Sequence, residues 1–64
     1  MNSVAFISDL LTTKNHIERT LIMLDEEYNK TRDINYKVRI LVEIKERQKN
    51  IFIIDQKLMQ YGYR

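Results

Sequence analysis

From Met1 to Tyr61 this chain contains neither glycine nor proline; its one glycine is Gly62 and it has no proline at all. These two residues are the usual punctuation of tight turns, Gly because it accepts positive φ and Pro because its φ is fixed in advance. A sandwich or barrel of short strands needs a turn every eight to twelve residues or so. A 61-residue stretch without turn residues is therefore hard to fold as sheet, and long helices joined by one polar loop are the natural alternative.

The apolar spacing supports helices. Ile7, Leu10, Lys14, Ile17, Leu21, Leu24 and Tyr28 fall on alternating steps of three and four, and so do Ile40, Ile44, Arg47, Ile51, Ile54, Leu58 and Tyr61. Each series is one stripe of a helix, apolar except for one central basic residue. Lys14 lies in TTKNH (residues 12–16) and Arg47 in KERQKN (residues 45–50), and both stripes stay in phase through these polar stretches. Tyr36, Val38, Ile40, Val42 and Ile44 also alternate as a strand would. Its only partners would be the short runs VAFI and IFII, and isolated two-stranded hairpins are marginal in water.

The expected fold class is thus all-α: a single domain over residues 1–64, built as an antiparallel helical hairpin. Asn2 or Ser3 can cap the first helix, Lys30 and Arg32 suit its C-terminal dipole, and Asp33 or Asn35 can cap the second after a turn near Thr31–Ile34. Gly62 predicts a left-handed stop that folds Tyr63 back toward Leu58. One variant has three helices, because Asn15 and Glu18 resemble a capping box that would break the first helix within residues 12–16.

With 64 residues and no cysteine, the chain is below the size at which a single core is comfortably stable, roughly 70 to 80 residues. Self-association can supply the missing burial. Folding the hairpin sets Leu21 opposite Ile44, Leu24 opposite Ile40 or Leu41, Leu10 opposite Ile54 or Asp55, and Ile7 opposite Leu58. Leu11, Ile22, Met23, Val38, Val42, Phe52, Ile53 and Met59 then lie outside that seam. They are the expected protein-interaction or dimer surface, and a homodimeric four-helix bundle would bury them. At mid-length, Lys14, Glu18, Arg47 and Asp55 form an expected polar waist in which Arg47 can reach Glu18 and Lys14 can reach Asp55. Such polar seam residues fix register at some cost in stability.

Such a bundle is similar in shape, without a shared motif, to the RNA-binding Rop hairpins of small plasmids. His16, Arg19 and Thr20 in HIERTL resemble the H-box of histidine-kinase dimerisation domains, which are helical hairpins that pair into four-helix bundles. That resemblance implies phosphotransfer at His16. It departs from the family pattern at Ile17, where an acidic residue is usual, and at Leu21, where proline is usual.

Little else points to chemistry. There is no phosphate-binding glycine loop and no nucleophile with a base at suitable spacing, and Asp25, Glu26 and Glu27 spread around a helix. His16 is the only histidine, so no metal site is expected. The reading is a non-enzymatic regulator, adaptor or inhibitor without cofactor, acting on a protein partner through amphipathic helices. Nucleic-acid binding is the alternative. Net charge is only +2, but residues 30–49 hold seven basic residues against three acidic ones, and Lys37, Arg39, Lys45, Arg47 and Lys49 are its candidate phosphate contacts. Residues 1–29 reverse the balance, with five acidic residues against two basic. Neither a leader nor a membrane span is evident near the N-terminus, so the expected location is the cytoplasm and no membrane partner is expected. Heavy use of Ile, Lys, Asn and Tyr suits an AT-rich bacterial or phage genome.

Overall fold

The structure, a computed structural model, describes residues 3–63. Two helices account for nearly all of them: α1, Ser3–Lys30, and α2, Ile34–Gln60. At about 1.5 Å rise per residue each is roughly 40 Å long. They pack side by side as an antiparallel hairpin measuring 48 × 18 × 15 Å. No helix among the described residues is long and apolar enough to cross a membrane.

α1 passes through residues 12–16 unbroken, so the three-helix variant is not what forms. The hydroxyls of Thr12 and Thr20 donate to the carbonyls of Ser8 and His16, at 2.9 and 3.1 Å. Each hydroxyl is satisfied by the carbonyl one turn back, which it shares with the backbone ladder, so neither caps a new helix. KERQKN is likewise helical throughout.

The connection is three residues long. Thr31 N–H continues the helical pattern to the Glu27 carbonyl (3.0 Å), and the Thr31 hydroxyl accepts from Asp33 N–H (3.2 Å). Asp33 then caps α2: its carboxylate accepts from Asn35 N–H at 3.0 Å and Tyr36 N–H at 3.4 Å. A short acidic cap supplies acceptors that the first turn of a helix lacks. Of the two caps expected for α2, Asp33 performs the role. For α1 the expected caps were Asn2 or Ser3; Ser3 is the first residue of the helix and Asn2 lies outside the described residues.

α2 ends as Gly62 predicts. Gly62 has φ +76°, Gly62 N–H donates to the Met59 carbonyl (3.0 Å) and Tyr63 N–H to the Leu58 carbonyl (3.0 Å). This pair of bonds is the Schellman motif, which satisfies carbonyls that the end of a helix would leave open.

The core is one layer thick. Among the described residues only Ile40, Ile54 and Leu58 are buried. The first-helix stripe is half-buried at all seven positions, and in the second stripe Ile44, Arg47 and Ile51 are half-buried while Tyr61, just past α2, is exposed. The strand-like alternation of residues 36–44 has no counterpart in burial, since Tyr36, Val38 and Val42 are exposed.

Candidate interaction surface

Three sets of contacts set the register of the hairpin. Near the loop, the Lys37 ammonium sits 4.7 Å from the centre of the Tyr28 ring, and the Tyr36 hydroxyl donates to the Glu27 carboxylate. That bond, and the negative charge of Glu27, raise the phenol above its usual pKa of 10.0, because they favour the protonated donor. At the free end, the Phe6 and Tyr61 rings pack tilted at 5.2 Å between centroids. A cation over an aromatic face and tilted ring pairs each hold a preferred geometry as well as burying area.

The third set is the polar waist. Lys14 Nζ donates to Asp55 Oδ1 at 2.7 Å, the one ion pair among the described residues, with the two side chains 29% and 42% exposed. The Asp55 hydrogen bond raises the Lys14 pKa above the ordinary 10.5; partial desolvation opposes this, and the charges of Asp55 and Glu18 add to it. The other expected pair does not form: Arg47 is half-buried and Glu18 exposed, with no ion pair between them. Glu18 instead contributes to the field at Lys14. The waist is therefore one cross-helix pair with an unpaired guanidinium beside it in the seam.

The expected interaction residues divide by helical angle. At about 100° per residue, α1 turns Val4, Leu11, Glu18 and Ile22 to one broad face of the hairpin, and α2 turns Leu41, Phe52 and Met59 to the same face. Ile22 and Gln48 flank a shallow groove floored by Leu21 and Ile44, with Asp25 and Glu26 along its rim, which ties the two helices' angles together. On this face Ile22, Phe52 and Met59 keep 61%, 63% and 65% of their surface open, whereas Leu11 is half-buried against the seam. Ile34 and Val38, both exposed, extend this face toward the loop at the same helical angles as Leu41 and Phe52.

Met23, Val42 and Ile53 are exposed but point elsewhere, Met23 on the outer side of α1 and the other two on the outer side of α2. The eight candidates thus make one face plus scattered outliers. Val4, Ile34 and Leu41 belong with the face and were not among them. For Ile34 and Leu41 the signal was present, because Ile34, Val38, Leu41, Lys45, Gln48, Phe52, Asp55 and Met59 follow the heptad displaced by one position from the α2 seam.

The candidate phosphate contacts do not converge. Lys45 and Lys49 line one shallow groove on α2 together with Val42 and Glu46, Lys45 on the side toward Phe52 and Lys49 on the outer side with Val42. Lys37 lies over Tyr28 and Arg47 is in the seam, while Arg39 projects near the opposite broad face. His16 is exposed. No group of three His, Cys, Asp or Glu side chains is placed to hold a metal ion among the described residues. No protein-family model matches the chain, and neither a curated protein nor a solved structure matches it.

Proposed function

We propose that this chain is a small, non-enzymatic interaction protein of the cytoplasm, a regulator, adaptor or inhibitor that works as a homodimeric four-helix bundle and binds a protein partner. One observation carries the reading. The hairpin exposes 5471 Å² at a mass of 7.8 kDa. A compact monomer of that mass exposes about 4,400 Å². The surplus, about 1,100 Å², exceeds the roughly 800 Å² per partner buried in a standard interface. Large aliphatic and aromatic side chains make up part of it, and a thin core with only three buried residues gains most from covering them.

Val42 and Ile53, away from the apolar face, suit contact with the protein partner once the bundle has formed. Light scattering at micromolar concentration tests the assembly, with twice the chain mass expected; a monomer refutes it. Val42→Lys with Ile53→Lys should leave that mass unchanged and remove proteins captured by the wild type from a bacterial extract. Capture identical for wild type and variant would refute this partner surface.

Nucleic-acid binding is the second reading, favoured by the adjacent Lys45 and Lys49 and by the duplication of this pair that a dimer would bring. Its mark is a steep fall in affinity for generic DNA or RNA as salt rises. Such a fall would replace the protein-partner reading, and absence of binding at low salt would remove the alternative.

A further inference from the structure

The geometry points to one arrangement of that dimer: the face carrying Ile22 and Phe52 packs on the same face of a second copy, with both loops at the same end, so that α1 lies on α2 of the partner. This rests on the dimeric reading above and specifies its surface and symmetry.

The choice of face follows from what each broad side presents. On the opposite side, Tyr36 is engaged with Glu27 and Phe6 with Tyr61, and the remaining exposed positions include Glu43 and Asn50. The chosen side leaves Ile22, Phe52 and Met59 more than half open. Its extent also fits, since 48 × 18 Å is about 860 Å² and a stable dimer needs roughly 800 Å² per partner.

The choice of symmetry follows from charge and register. Two identical faces can meet about a two-fold axis that runs along the helices or across them. The axis across the helices stacks α1 on α1 and α2 on α2, with loops at opposite ends. That sets the acidic first half of the chain against itself and the basic stretch of α2 against itself. The axis along the helices stacks α1 on α2, the acidic half on the basic half.

In this second case residues meet across the dimer within about a turn of the levels they share in the hairpin, where Glu27 meets Tyr36, Tyr28 meets Lys37, Phe6 meets Tyr61 and Lys14 reaches Asp55. Ile22 then faces Leu41, Leu11 faces Phe52 and Val4 faces Met59, apolar on apolar in three layers. Between them Asn15 faces Gln48 and Glu18 faces Lys45, an opposite-charge pair repeated twice by the symmetry. Opposed signs at matching levels select this register and disfavour the other, where like charges meet.

The chain has no cysteine, so Arg32→Cys gives a unique attachment point for a spin label in the exposed loop. Pulsed electron–electron distance measurement should give a separation of one or two interhelical spacings of about 10 Å plus the label arms. A separation near the 48 Å length of the hairpin would overturn the arrangement while leaving the dimer intact. A monomer would overturn the dimeric reading and this arrangement with it. Phe52→Asp should give a monomer that remains helical by circular dichroism; a dimer unchanged by it would place the contact on another face. Glu18→Lys and Lys45→Glu should each raise the dimer dissociation constant about ten-fold at low salt, from two contacts worth a few-fold each. The double variant should recover most of that loss, and additive losses would refute the pairing.

Discussion

Arg47→Leu is the substitution that tests the description of the seam most directly. Arg47 occupies a heptad position between Ile44 and Ile51, is half-buried like both of them, and has no ion-pair partner among the described residues. Fully burying a leucine side chain stabilises by about 1.5 to 3 kcal/mol, so a half-buried one contributes roughly 1 kcal/mol. The arginine stem already covers part of that surface, which lowers the gain, and removing the partial desolvation of an unpaired guanidinium raises it. The net expectation is stabilisation by about 1 kcal/mol, or about 4 to 8 °C in melting temperature for a domain this small. Thermal and urea unfolding followed by circular dichroism, at matched protein concentrations, measure it. The Lys14–Asp55 pair remains in the variant to hold the register, so the transition should stay cooperative. Destabilisation by 1 kcal/mol or more would refute the reasoning, because it would mean that the guanidinium makes a bond in the native assembly that leucine cannot replace.

Alkaline pH should weaken the fold through two groups of matching sign. The raised pKa of Lys14 gives a contribution complete below 10.5 and lost as pH rises through the folded value; the raised pKa of Tyr36 gives one complete below 10.0 and lost in the same direction. The melting temperature should therefore be flat near neutrality and fall above about pH 10, less steeply in the Asp55→Asn, Tyr36→Phe double variant; an equally steep fall there would exclude these two groups as the cause. Asp55→Asn alone should cost at most about 1 kcal/mol, since the pair is partly exposed, and the cost should shrink in high salt. Asp33→Ala should cost about 1 kcal/mol through loss of the α2 cap, with Asp33→Ser nearly neutral in the same unfolding assay. Gly62→Ala meets no steric obstacle, yet it forces positive φ on an L residue at a cost of about 1 kcal/mol or more. Hydrogen exchange at the Gly62 and Tyr63 amides should speed up while that at Ile40 does not.

The helices themselves were legible in the sequence, because their determinants are local. The absence of Gly and Pro, the stripe through Ile40, Ile44, Ile51, Ile54 and Leu58, the Asp33 cap and the Gly62 stop each act within a turn or two of their own position. Glu27, Tyr36, Tyr28 and Lys37 were equally visible as residues, but their meeting depends on how a three-residue loop sets one helix against the other. Asn15 and Glu18 read as a helix start because a capping box is a local pattern; side-by-side packing along the whole of α1 outweighed it. At the waist, charge and spacing allowed two ion pairs, and only the tertiary structure decided between them. Lys14 extends across to Asp55, whereas Arg47 stays in the seam without reaching Glu18. Apart from Tyr61, which stays exposed just past the end of α2, periodicity determined which stripe residues leave solvent within the hairpin, since it depends only on the pitch of each helix. Which of the remaining apolar residues share a face depends on the rotation of two helices about their own axes, and that is settled only when they pack.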